Sequence, residues 1–197
     1  MGVPHVKRRV SLSARNRRRV VTVIGSGQTA DPRSQEVGRL IASLGFDLLT
    51  GGGRGAMEAV SRAFFETSPR RGVVIGVMPG TVEPLESVEA REPIVAEYVL
   101  PPGYPNDWVE VAIYTHLPAR GPEGTLRSSR NHINVLSADA IVALPGGEGT
   151  AAEMLLAQQY GVPTVAYGEH GSAAPEGIVH TRSLGDLRAF LIEHAAR

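Results

Sequence analysis

Three times in this chain an apolar run of strand length ends in a glycine-rich turn. Val20–Ile24 is followed by Gly25-Ser26-Gly27, residues 46–50 by Gly51-Gly52-Gly53, and residues 140–144 by Pro145-Gly146-Gly147-Glu148-Gly149. A stretch of helical periodicity comes after each turn: residues 31–44, 55–67 and 150–160. A short β-branched run, a tight turn and a helix make up the repeating unit of a parallel sheet, because parallel neighbours need a crossover between them. With a further strand at 73–78, the first half of the chain reads βαβαβ. The second half adds a strand near 95–100, a run at 108–116 of undetermined type, a helix at 126–137, a strand at 162–167 and a helix at 184–194. The expected fold is α/β, a doubly wound and mostly parallel sheet with helices on both faces. Right-handed crossovers bring ligands to the carboxyl ends of such strands, so all three glycine turns should open onto one edge.

The third turn carries the most chemistry. Pro145 ends the apolar run, Gly146, Gly147 and Gly149 allow a tight backbone, and Thr150 and Glu153 fall at the start of the helix. Unpaired amide N–H groups at a helix N-terminus attract anions. Glu153 is a carboxylate that a pure anion site would avoid, and it lies one helical turn beyond the glycines. A phosphate cradle with an acid beside it points to chemistry on a phosphorylated compound.

Composition removes several alternatives. The chain has 197 residues, enough for one α/β domain that buries about 70% of its unfolded surface. It has no cysteine, hence no thiolate chemistry, and no apolar run of about 18 residues, so no membrane span is expected. Residues 1–19 are expected to be a basic, unstructured tail, without the apolar core of an export signal, leaving residues 20–197 as the folded domain and the cytoplasm as the expected compartment. Within residues 1–20 there are seven basic side chains and no acid; the other 177 residues hold 13 basic and 20 acidic groups. That acidic body lacks the electropositive footprint of a nucleic-acid binder.

Lys7, in the tail, is the sole lysine. This excludes a pyridoxal-phosphate Schiff base, and no glycine precedes a lysine as a Walker A loop requires. The first turn matches the alanine variant of the dinucleotide fingerprint. However, the second strand ends in Thr50 and three glycines, with Asp47 at its beginning, so the acid that would hold a nicotinamide cofactor's ribose is missing. The six histidines show no metal-ligand spacing, and Gly25-Ser26-Gly27 is not a nucleophile elbow; Ser26 is expected to line the pocket or cap a turn. Glu83, Glu86, Glu89 and Glu92 read as a solvated face, and Tyr104 and Trp108 as aromatics that either stack on a purine or pack.

The order GSG, GGGRGAM, RSSRNHINVLSADAIVALPGG and PGGEGTAAE resembles the LONELY GUY (LOG) family over residues 20–167. The resemblance implies a Rossmann-like homodimer that cleaves the N-glycosidic bond of nucleoside 5′-monophosphates, of the cytokinin riboside or AMP type, to free base and ribose 5-phosphate. No cofactor or metal is implied. By motif, Gly146, Gly147, Gly149 and Thr150 would hold the 5′-phosphate, and Arg130 and Glu153 would be the catalytic pair. Gly25, Ser26, Gly27, Gly51, Gly52, Gly53 and Asn131 would line the ligand. Breaking the glycosidic bond builds positive charge on the ribose, which a nearby carboxylate stabilises. Arg130 is expected to orient that carboxylate and the sugar phosphate through bidentate hydrogen bonds.

Three positions differ from the LOG pattern: Asn131 replaces a lysine, Ala152 the first of two acids, and Ala56 a leucine. The segment from Arg130-Asn131 to Asp139 is also similar to a sister group that includes molybdenum-cofactor carrier proteins, which bind a phosphorylated pterin without hydrolysis. A non-catalytic carrier is therefore the alternative reading. A nucleotide sensor reaching a partner through the basic tail is a third.

Overall fold

The computed structural model describes residues 17–84, 96–170 and 174–195. Its centre is built from runs too apolar to face water on either side: β1 (Val20–Ile24), β2 (Asp47–Thr50), β3 (Val74–Met78), β7 (Ala140–Ala143) and β8 (Thr164–Tyr167), nearly all of whose residues are buried. With β6 (Val111–Tyr114) and β9 (Val179–Thr181) they form one parallel sheet in the order β6-β3-β2-β1-β7-β8-β9. The expected doubly wound architecture is therefore present.

Alternation along the strands sorts side chains between two cores. Val21, Val23, Ala140 and Val142 meet one face, where α1 (Ser34–Ser43), α2 (Ala56–Phe65) and α5 (Leu184–Ala195) pack through residues such as Ile41, Phe64 and Leu191. Ile24, Ile141 and Ala143 meet the other, covered by α3 (Asn131–Ser137) and α4 (Glu148–Tyr160) through Val135, Met154 and Leu156. None of the described helices is long and apolar enough to cross a membrane.

Several elements differ from the sequence reading. The strand near 95–100 exists as β5 (Ala96–Val99), but it pairs antiparallel with β4 (Thr81–Pro84) in a separate ribbon outside the main sheet. Residues 108–116 contain β6, a parallel edge strand beside β3. The helix expected from 126 starts only at Asn131. Leu126 to Arg130 forms a turn in which the Ser129 N–H donates to Leu126 O, and the buried Ser129 hydroxyl accepts the Asn131 N–H. A 3₁₀ turn, Gly121–Thr125, precedes it.

Arg17, Arg18 and Arg19 belong by composition to the basic tail, yet all three are anchored. Arg18 makes two 2.6 Å hydrogen bonds to Asp47 and a third to Arg71 O; Arg17 and Arg19 pair with Asp139. They hold the amino-terminal edge of the sheet, opposite the glycine turns. Residues 1–16 and Glu86, Glu89 and Glu92 lie outside the described residues.

Candidate functional site

The strand order decides which glycine turns meet. The chain winds outward from β1 through β2, β3 and β6, then returns to β7 on the other side of β1, so the crevice between β1 and β7 is the point where winding reverses. Ligands of open α/β sheets bind there. The turns after β1 and β7 are joined by a hydrogen bond from the Ser26 N–H to Pro145 O, 3.2 Å, and a cavity of about 600 Å³ opens beside them. Gly25, Ser26, Gly27, Arg130, Asn131, Gly147, Gly149, Thr150 and Glu153 all line it. The Ser26 Oγ also accepts the N–H groups of Gln28 and Thr29.

At the floor of this cavity α4 begins. Its first intrahelical bond runs from the Ala151 N–H to Gly147 O, which leaves the N–H groups of Glu148, Gly149 and Thr150 without helical acceptors. The helix dipole reinforces the attraction of these groups for an anion. Gly146 does not line the cavity. It is a point of close packing, where a Cβ would lie 2.1 Å from Thr150 Oγ1 and 2.9 Å from Ser26 N.

Arg130 and Glu153 are both buried, at 4% and 9% exposure, the first at the N-cap of α3 and the second in the second turn of α4. Their contact is a single approach of 3.8 Å between Arg130 Nη1 and Glu153 Oε1, rather than the bidentate pairing expected. Nη1 donates instead to Asn131 Oδ1 at 2.6 Å. The hydrogen bond that orients Glu153 comes from Asn134, whose Nδ2 donates to the same Oε1 at 3.0 Å. Both contacts fall on Oε1, and Oε2 has neither among the described residues. Sequence reasoning missed Asn134, although its place four residues after Arg130 puts it on the same helix face.

Burial pushes the Glu153 carboxyl above its usual range, opposed first by the Arg130 charge and then by the Asn134 hydrogen bond. Arg130 Nε and Asn134 Oδ1 are buried without a hydrogen-bond partner, so the polar cluster is not fully satisfied internally.

Gly51, Gly52 and Gly53 support the site without lining it. A Cβ at Gly51 would fall 2.3 Å from Arg130 Nη2, so this glycine makes room for the guanidinium. Ala152 has a related explanation. It is buried against Gly124 of the 3₁₀ turn, 3.0 Å from where a Cβ there would lie, in a space that holds a methyl and not a carboxylate. Further lining residues are not among the site residues expected from the sequence: Gln28, Met57, Arg120, Gly121, Pro122 and Glu148. Tyr104 also lines the cavity, whereas Trp108 packs on Phe65 at 5.6 Å and under the Arg62 guanidinium at 5.4 Å.

Two similar solved structures have 27% identity and a TM-score of 0.63. One is the molybdenum cofactor binding protein from Rippkaea orientalis, covering 90% of this chain and 95% of that one; the other is the molybdenum cofactor carrier protein from Chlamydomonas reinhardtii, covering 92% and 100%. DNA processing protein A from Helicobacter pylori, at 15% identity and TM-score 0.56 over 89% of this chain and 80% of that one, shares the fold alone. No curated protein matches the sequence. Residues 18–186 match the SLOG cluster4 family, and with the LOG-like motifs gathered around one cavity, the chain belongs to that family.

Proposed function

We propose that this protein binds a nucleoside 5′-monophosphate and hydrolyses its N-glycosidic bond. The observation that carries this reading is the buried Glu153 carboxylate, facing the same cavity as the free amides that begin α4. The 5′-phosphate binds at the N–H groups of Glu148, Gly149 and Thr150, with Gly146 and Gly147 shaping the turn. The anomeric carbon then lies by Glu153, whose charge stabilises the cationic ribose as the bond to the base lengthens.

Glu153 takes a proton from water as the water oxygen bonds to that carbon, and the proton passes to the departing base nitrogen. Burial raises its pKa, which makes it a stronger base toward the proton it accepts. Arg130 and Asn134 hold the carboxylate in place from Oε1.

The test is release of free base and ribose 5-phosphate from AMP and isopentenyl-AMP by wild type and Glu153→Gln. Loss of roughly 10²–10⁴-fold in turnover, with nucleotide binding retained, supports hydrolysis. A second reading, a carrier of a phosphorylated pterin, is favoured by Asn131 after Arg130 and by the 27% identity to two molybdenum-cofactor proteins. Saturable binding with no release, unaffected by Glu153→Gln, would favour the carrier.

A further inference from the structure

The glycine turn after β2 holds different side chains at its two ends. Gly51 underlies the Arg130 guanidinium, while a Cβ at Gly53 would lie 2.8 Å from Tyr104 Cζ and 3.0 Å from Met57 Cε. Two residues of chain span at most about 7 Å, so the Tyr104 ring and the Arg130 guanidinium both rest on one short turn. Arg120 closes the ring from another direction, its guanidinium 5.9 Å from the Tyr104 centroid, and makes no ion pair among the described residues. Arg120 belongs to the segment that packs on the phosphate turn, where a Cβ at Gly149 would lie 3.4 Å from Gly121 Cα. Tyr104, Met57 and Arg120 all face the cavity.

Resting on the phosphate and sugar placement proposed above, we infer that Tyr104, backed by Met57 and walled by Arg120, is the binding surface for a planar nitrogen heterocycle. An aromatic face, a polarizable thioether and a guanidinium plane attract a flat π-system and offer little to an aliphatic group of the same volume. The cavity then selects heterocycle-bearing sugar phosphates over simple sugar phosphates by stacking.

Binding of AMP and of ribose 5-phosphate to wild type, Tyr104→Leu and Tyr104→Phe by calorimetry tests this. Tyr104→Leu is expected to weaken AMP by roughly 5- to 150-fold, the range of one base–aromatic stack, while ribose 5-phosphate affinity stays unchanged and Tyr104→Phe retains AMP. Equal loss for both ligands, or loss for neither, overturns the assignment. Wild type that binds ribose 5-phosphate and not AMP refutes the heterocycle surface and spares the phosphate cradle. Wild type that binds neither refutes the underlying nucleotide reading instead.

Discussion

Replacing Asn134 with alanine separates the worth of the Glu153 hydrogen bond from everything else the substitution does. Asn134 is fully buried, and its Nδ2 lies 3.0 Å from Glu153 Oε1. A hydrogen bond to a charged acceptor contributes roughly 1.5–3 kcal/mol, and one to a neutral acceptor roughly 0.5–1.5 kcal/mol. Truncation also leaves a cavity, whose cost is the same at every pH. The pH dependence of the loss therefore isolates the charged form of Glu153.

A carboxyl whose folded-state pKa is raised stabilises the fold fully below its unfolded value, near 4.5, and that advantage is lost as pH rises through the folded value. Removing Asn134 deletes one of the two groups that hold Glu153 down, so the loss at alkaline pH grows. Asn134→Ala should cost about 1 kcal/mol more at a pH above the folded-state value of Glu153 than at pH 4, the difference between the two classes of hydrogen bond. Urea denaturation of wild type, Asn134→Ala, Glu153→Gln and the double variant at both pH values measures it. In the Glu153→Gln background the pH dependence of Asn134→Ala should vanish. A loss that is equal at both pH values, or that keeps its pH dependence when Glu153 is Gln, refutes the reasoning.

Gly51→Ala drives a methyl into Arg130 Nη2, so AMP turnover should fall by roughly 10²-fold, and Arg130→Ala in the same chain should add little; additive losses would show that the two do not act together. Gly38→Ala should destabilise by roughly 1–3 kcal/mol in urea despite alanine's better helix propensity, because its Cβ would lie 2.5 Å from Val60 O where α1 crosses α2; a gain in stability would show that the helices can part without cost. His170 is buried beside His180 and Asp31, and burial lowers its pKa. Wild-type stability should thus decline as pH falls below about 6.5, and His170→Gln should flatten that decline; an unchanged slope assigns it to other groups.

What was legible in the sequence is local. A β-branched run buried on both faces, a glycine turn and a helix place their atoms within a few residues of one another, so the strands, the cradle at Gly147–Thr150 and the position of Glu153 one turn beyond it follow from period and turn chemistry. Arg130 and Glu153 were paired by motif, and the fold brings them within 3.8 Å.

What the tertiary structure decided are contacts between distant segments. Strand order made β7 a neighbour of β1, which put the first and third glycine turns around one cavity and left the second turn beneath Arg130 and Tyr104 as support. It also set Asn134, not Arg130, as the hydrogen-bond donor to Glu153, and seated the 3₁₀ turn at Gly121–Thr125 where it confines Ala152. Arg18 reads as part of a loose basic run until Asp47, 29 residues away, is folded against it. No local periodicity encodes these pairings, because each depends on how the sheet is wound rather than on the preferences of the residues that meet.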